Sequence, residues 1–110
     1  MKQSENDFMD SVIDYARLRG WKVAHFRSVR IQRKDGSVFY QTPVQADGAG
    51  FPDLCLVRPS RIVFAEIKSS KGKVSPEQDT WLKALAATEK VEVYVWKPED
   101  FGPEVVEVLA

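Results

Sequence analysis

The chain has little of two residues from which many binding and catalytic sites are built. Among its 110 residues are one cysteine, Cys55, and one histidine, His25. A single cysteine excludes an internal disulfide and a four-cysteine zinc site. A single histidine argues against a histidine-based metal site and against a Ser-His-Asp triad. The scarcity of both residues favours an intracellular protein whose site is built from carboxylates.

Long apolar runs and a secretion signal are also lacking. No apolar stretch approaches the ~20 residues that span a bilayer, so no membrane partner is expected. The N-terminal segment is acidic and polar, unlike a signal peptide. A hydrophobic content of 44% and a charged content of 29% are typical of a globular protein. Residues 1–110 are therefore predicted to form one domain.

Net charge is zero, but its distribution along the chain is uneven. Residues 17–73 carry twelve Lys and Arg against four acids, a net charge of +8, while the flanking segments are acidic. Such a segment can be a solvated loop face. Because this one also contains the acids Asp53 and Glu66, which are predicted to cluster with Lys68, phosphate binding is favoured. The predicted phosphate contacts are Arg27, Arg30, Arg33, Lys34, Lys71 and Lys73.

A Pro-Asp and a Glu-x-Lys stand at the outer ends of two adjacent apolar runs, 53–57 and 62–68. Pro59 fits the second position of a type I turn, which predicts a four-residue loop over 58–61. In an antiparallel hairpin with that loop, Asp53 lies directly opposite Glu66. Side chains two apart on a strand share a face, so Lys68 joins Glu66. A loop length changed by one residue would place Asp53 on the other face.

Two opposed carboxylates destabilise a sheet unless positive charge lies between them. Lys68 supplies one charge, and a hard divalent cation would supply the rest. The ordinary alternative is a turn aspartate beside an exposed ion pair. However, residues 62–67 are apolar on both faces, which predicts a buried central strand where charge is costly and usually functional. The loop 47–50 contains two glycines, and we expect it to let the backbone approach a ligand.

The remaining elements follow from local signals. Ser4 and Asp7 predict the start of a helix that Gly20 ends, and residues 21–26 predict a strand. Asp35-Gly36 predicts the turn of a hairpin over 29–41, and Ser75-Pro76 opens a second helix with Gln78 at its third position. A last strand is predicted over 91–96. This order predicts an α/β fold in which a mixed sheet is flanked by helices.

These residues resemble the PD-(D/E)XK nuclease superfamily, with Pro52-Asp53 and Glu66-Ile67-Lys68 as the motif. Within it the chain resembles the stand-alone virus-type replication-repair nuclease (VRR-NUC) domain over nearly its whole length. The more specific part is the stretch Ser-Pro-x-Gln-x-x-Trp-Leu over 75–82, and 29–48 is the least family-like. The resemblance implies a restriction-endonuclease-like core.

The resemblance also implies an activity: a Mg²⁺- or Mn²⁺-dependent endonuclease acting on branched DNA, such as four-way junctions or flaps. Asp53, Glu66 and the backbone carbonyl of Ile67 would hold the ion, and Lys68 would position or deprotonate the attacking water. Further catalytic candidates are Gln78, which is otherwise a capping residue, and Glu5, which is otherwise a first-turn acid. The implied location is the cytoplasm of a bacterial or phage-infected cell.

Two alternatives remain open, and a homodimer is expected. A non-catalytic DNA-binding module is disfavoured because all three motif residues are present, while a sequence-specific restriction-type endonuclease is not excluded. Resolving a two-fold symmetric Holliday junction needs two acid clusters, which a symmetric homodimer supplies. The hairpin 29–41 is the predicted pairing surface. Aromatic residues beyond what a small sheet needs are candidates to face a partner: Phe39, Tyr40, Tyr94 and Trp96.

Overall fold

The computed structural model describes residues 4–26, 29–41 and 44–110, with the side chain of Gln41 excepted. A mixed four-stranded sheet with flanking helices confirms the predicted α/β class. In the described part of the chain no helix has both the length and the apolar character to cross a membrane. The elements are α1 (Glu5–Leu18), β1 (Lys22–His25), β2 (Val29–Gln32), β3 (Val38–Gln41), β4 (Leu54–Arg58), β5 (Arg61–Ile67), α2 (Pro76–Ala86), β6 (Val91–Trp96) and α3 (Val106–Leu109).

The main sheet has the order β1-β4-β5-β6, with β5 and β6 parallel and the other neighbours antiparallel. The β5 strand is therefore central, as its apolar sequence predicts. Parallel neighbours need a crossover, and α2 provides it between β5 and β6. Between β6 and α3 the chain forms a 3₁₀ turn (Pro98–Asp100) and a π-helical turn (Phe101–Val105).

The β4–β5 hairpin has the predicted register but a different turn. Val57 pairs with Ile62, as expected, and the ladder continues to a pair between Arg58 and Arg61. The turn is thus only Pro59-Ser60, and Ser60 has a φ of 67°. A type I turn has a negative φ at that position, so the type I prediction is wrong, and a type II turn fits. The register is the same in both because the change in loop length is even.

One face of the sheet holds the core. Leu54, Leu56, Val63 and Ala65 are fully buried on this face, where α1 and the C-terminal segment pack. The opposite face is only partly covered, because Val57 and Val95 remain 43% and 37% exposed. A chain of edge-to-face rings from Phe64 through Phe51 to Trp81 places α2 over part of this second face.

Both predicted helix starts are confirmed. In α1 the Ser4 hydroxyl accepts a hydrogen bond from the Asp7 N–H at 3.0 Å. In α2 the Ser75 hydroxyl accepts from the Gln78 N–H at 3.2 Å, and Gln78 Oε1 accepts from the Ser75 N–H at 2.9 Å. This reciprocal pair is a capping box, so the backbone and side chain of Gln78 are held at the first turn of α2.

The glycine of the loop before β4 has a structural role that the sequence prediction missed. Gly50 has a φ of +84°, and a Cβ there would lie 2.5 Å from the backbone carbonyl carbon of Glu77. Gly50 thus packs against the start of α2, and it also lines the cavity that contains Asp53 and Glu66. Ligand approach to this loop stays a prediction. Trp81 Nε1 donates to the Asp47 carbonyl at 2.8 Å and fixes the loop to the same helix.

The β2 and β3 strands form a separate two-stranded sheet. Its tip is the predicted Asp-Gly turn, with Gly36 at a φ of +90°. Tyr40 on this hairpin is 67% exposed, whereas Trp96 is fully buried and Tyr94 stacks on it with the ring centroids 5.1 Å apart. Of the four aromatic candidates to face a partner, Trp96 is therefore ruled out, because its ring belongs to the core.

Candidate active site

Asp53 and Glu66 meet at the end of β4 and β5 that is farthest from the Pro59-Ser60 turn. Glu66 lies on the central strand and is 2% exposed. Asp53 directly precedes β4, and its Oδ2 accepts a hydrogen bond from the Ile67 N–H at 2.8 Å. The Asp53 carbonyl accepts from the Phe26 N–H at 2.8 Å, so β1 and β5 hold this aspartate from both sides. The register prediction that brings the two acids together is confirmed.

The two oxygens of Glu66 have different surroundings. Oε2 lies 3.1 Å from Lys68 Nζ and accepts from Gln78 Nε2 at 3.0 Å. Oε1 is buried and has no hydrogen-bond donor among the residues that the structure describes. A buried carboxylate oxygen without a partner is costly. A proton or a cation at Oε1 would remove that cost.

Burial also raises the pKa values of both carboxyl groups. Burial, and then the charge of Asp53, raises the pKa of Glu66 to about 7, although Lys68 opposes the shift. Burial also raises the pKa of Asp53, against the Ile67 N–H bond. A proton on either carboxyl group would relieve the repulsion between them. A metal ion that binds here would displace that proton.

A cavity of about 460 Å³ opens onto these side chains. An adjoining cavity of about 250 Å³ shares Asp53, Glu5 and Tyr40 with it. Glu5 is exposed on the wall of both. In the described ranges, no group of three or more His, Cys, Asp or Glu side chains is arranged to hold a metal ion. The carboxylate pair would therefore need backbone or solvent oxygens, and the Ile67 carbonyl stays the predicted third protein ligand.

His25 also belongs to this site, although no sequence pattern indicates it. It lines the smaller cavity and lowers the pKa of Asp53 against the larger effect of burial. It lies at the end of β1, where it pairs with Leu54. Its position follows only from the antiparallel pairing of β1 with β4, which no local pattern indicates.

A larger cavity, of about 710 Å³, lies at the turn end of the same strands and lacks this chemistry. Its wall contains Arg58 and Arg61 and no carboxylate. Arg61 is paired with Glu92 at 2.6 Å, and Arg58 donates to the Arg19 and Ala110 carbonyls at 3.0 Å. Both guanidinium groups are therefore already engaged in contacts within the chain.

The predicted phosphate contacts lie on two segments. Arg30, Arg33 and Lys34 are exposed on the β2–β3 hairpin, where the Arg33 guanidinium lies 4.1 Å from the centre of the Phe39 ring. Lys71 and Lys73 are exposed in the loop that follows β5. Arg27 lies outside the described residues. DNA contact by these residues stays a prediction.

The sequence was then compared with known proteins. The model of the VRR-NUC domain family matches residues 15–99, which is most of the chain. Searches of curated proteins and of solved structures each return no match. The matched region contains Asp53, Glu66, Lys68 and Gln78, and Glu5 lies outside it.

Proposed function

Because the chain belongs to the VRR-NUC domain family, a family of nucleases, we propose that it is a Mg²⁺- or Mn²⁺-dependent endonuclease that hydrolyses phosphodiester bonds in branched DNA. The metal dependence is inferred from Glu66 Oε1, which is buried beside Asp53 and has no hydrogen-bond partner in the described part of the chain. A carboxylate pair in such surroundings is suited to bind a cation rather than to stabilise the fold.

The donor set fits a hard divalent cation. Mg²⁺ prefers oxygen ligands and is commonly held by one or two carboxylates, with water and substrate phosphate completing its shell. Asp53, Glu66 and the Ile67 carbonyl would hold it here. When bound, the ion supplies Lewis-acid polarisation of the scissile phosphate and lowers the pKa of the attacking water.

Lys68 and Gln78 have complementary roles in this proposal. The Lys68 ammonium orients the attacking water and offsets the charge that develops on the phosphate in the transition state. Gln78 is a positioning residue, because its Nε2 holds Glu66 Oε2 while its Oε1 is held by the helix cap. The capping role and the positioning role of Gln78 are thus compatible, since they use different atoms.

Glu5, the DNA substrate and a homodimer complete the proposed activity. Glu5 is an additional carboxylate on the cavity wall and stays a further catalytic candidate in this proposal. Branched DNA follows from the family resemblance and from the exposed basic residues of the hairpin. A homodimer is supported by the half-covered second sheet face, where Val57 and Val95 are exposed. We propose this face, rather than the hairpin, as the pairing surface.

Cleavage assays test the chemistry. Linear, flap, fork and four-way DNA is incubated with Mg²⁺, Mn²⁺ or EDTA, using the native chain, Asp53→Asn, Lys68→Ala and Glu66→Gln. Glu99→Gln is the matched control, because Glu99 is an exposed carboxylate outside the cavity wall. Cleavage of branched DNA that needs the ion and all three residues supports the proposal. Full activity in EDTA contradicts it, and cleavage of linear duplex at one sequence favours a restriction-type enzyme.

Sedimentation tests the dimer separately. At micromolar concentration without DNA, we expect close to twice the 12.5 kDa mass of the chain. Val57→Asp should give monomers, because it places a charge on the proposed pairing face. A native chain that sediments as a monomer contradicts the preformed dimer and leaves the cleavage chemistry unaffected.

A further inference from the structure

Tyr40 stands at the mouth of the acid site and has no role in the chemistry proposed above. It lies on β3 and lines both the cavity of about 460 Å³ and the adjoining one of about 250 Å³. Asp53 and Glu5 are the other residues that the two cavities share. The Tyr40 side chain therefore lies on the wall of the space from which a ligand would reach Asp53 and Glu66.

The Tyr40 side chain contributes little to the packing of the fold. It is 67% exposed, and its hydroxyl makes no hydrogen bond with the described residues. Its neighbour Phe39 shows the contrast. Phe39 points to the other face of the hairpin, is half-buried, and is covered by the Arg33 guanidinium at 4.1 Å. The Phe39 ring stabilises the hairpin, whereas the Tyr40 ring remains available to a ligand.

The neighbours of Tyr40 on the hairpin indicate which kind of ligand it would contact. Arg30 is its direct cross-strand partner, and the next pair on the same face is Gln32 with Val38. All four side chains are exposed. An aromatic ring beside a guanidinium is the combination that binds single-stranded nucleic acid, because the cation contacts phosphate while the ring stacks on a base.

We propose that Tyr40 stacks on an unpaired nucleobase next to the phosphate that lies at Asp53 and Glu66. A base inside a duplex has both faces covered by its neighbours, so stacking on Tyr40 requires a base that is already unpaired or is extruded at a cost. Tyr40 thereby selects DNA with an unpaired nucleotide at the cleavage position. This inference rests on the proposed function and names the residue that sets its substrate class.

Binding without metal tests the contact independently of cleavage. Affinity is measured by fluorescence anisotropy in EDTA for a short thymidine oligonucleotide and for an abasic strand with the same number of phosphates. Tyr40→Ala should weaken binding to the thymidine strand by about 5- to 150-fold, the range for loss of one base–aromatic stack, and leave the abasic strand unaffected. Tyr40→Phe should retain the native affinity. Val38→Ala is the control, since Val38 lies on the same face but lines neither cavity.

Several outcomes would overturn the inference. An equal loss on both strands would show that Tyr40 serves phosphate contact or the fold. A loss accompanied by dissociation of a dimer in sedimentation would assign Tyr40 to a protein interface. No binding of either strand by the native chain would also refute it.

Cleavage assays separate this inference from the proposed function. If the native chain cuts branched DNA and Tyr40→Ala keeps the same preference for unpaired substrates, the inference fails and the nuclease activity stands. If base-dependent binding through Tyr40 is observed but no ion supports cleavage, the stacking contact stands and the nuclease proposal fails.

Discussion

Charged side chains lie at both ends of the β4–β5 hairpin. At the turn end their charges are neutralised by partners, and at the other end negative charge is in excess. At the turn end, Arg61 donates to both Glu92 oxygens at 2.6 and 2.7 Å, and the side-chain hydrogen bond from Arg61 lowers the pKa of Glu92. Arg58 donates to backbone carbonyls and lies over the Trp21 ring at 4.5 Å. At the other end, two carboxylates share one lysine, and the pKa of Glu66 is raised to about 7.

This difference between the two ends distinguishes charged residues that stabilise the fold from those that are candidates for function. Both groups of residues lie on or next to the same two strands, and the turn end has the larger cavity, about 710 Å³ against about 460 Å³. Cavity size therefore does not identify the site. The deficit of positive charge and the unpaired oxygen of Glu66 do, because a fold without a ligand gains nothing from either.

The largest effect should come from neutralising the acid end. Glu66→Gln keeps the side-chain volume and removes one negative charge. We expect cleavage to fall by at least about 10²- to 10³-fold, the cost of losing one transition-state stabilising group. Mn²⁺ binding measured by calorimetry should be lost as well. Glu92→Gln at the turn end is the matched comparison, and it should cleave at the native rate per folded molecule. Equal losses in both variants would contradict the assignment of function to the acid end and structure to the turn end.

Stability in the absence of metal should depend on pH in opposite directions at the two ends. The folded-state pKa of Glu66 is raised from 4.5 to about 7, so its contribution is present below pH 4.5 and lost as pH rises toward 7. The loss amounts to about 3 kcal/mol, since one pKa unit is worth about 1.4 kcal/mol. The lowered pKa of Glu92 acts oppositely, because its contribution is lost as pH falls through that pKa.

Urea unfolding between pH 4.5 and 8 measures the Glu66 dependence, and unfolding below pH 4.5 measures that of Glu92. Glu66→Gln should flatten the decline and should be more stable than the native chain at pH 8. Added Mg²⁺ should restore stability to the native chain alone, because only its folded state binds the ion tightly. An identical decline in Glu66→Gln would show that another group titrates.

Removing the turn-end ion pair should reduce stability and leave the chemistry intact. Arg61→Ala loses the two bonds to Glu92 and a 2.9 Å bond to the Val108 carbonyl. Because the paired side chains are 32% and 30% exposed, solvent screening limits the expected cost to about 1–2 kcal/mol. Thermal unfolding measures it. Lys83→Ala removes a more exposed pair with Asp79, whose side chains are 78% and 51% exposed, and should leave the melting temperature unchanged.

The smallest effect concerns DNA affinity. Replacing Arg30 and Arg33 together by glutamine should weaken binding to all sequences alike and flatten the log–log salt dependence by about 0.9 per lost phosphate contact on duplex DNA. The same replacement of Lys22 and Lys90, which line the turn-end cavity, should leave the slope unchanged. An unchanged slope in the first variant would show that the hairpin faces away from DNA.

Sequence patterns alone predicted the central features of the candidate site. Asp53 opposite Glu66 followed from the period of two along a strand, which depends only on loop parity and survived an error in the turn type. The capping box at Ser75 and Gln78 could also be predicted from the sequence, because its hydrogen bonds join residues three apart. Such features are local, so a few neighbouring residues contain all the groups that decide them.

Only the tertiary structure decided what surrounds those acids. The pairing of β1 with β4 brings His25 beside Asp53, and the course of the β2–β3 hairpin brings Tyr40 to the cavity mouth. The packing of α2 directs Gln78 to Glu66 Oε2, and Oε1 is left without a partner among the residues described. These contacts join segments far apart in the chain. They depend on how the whole core buries its apolar surface, which no local pattern contains.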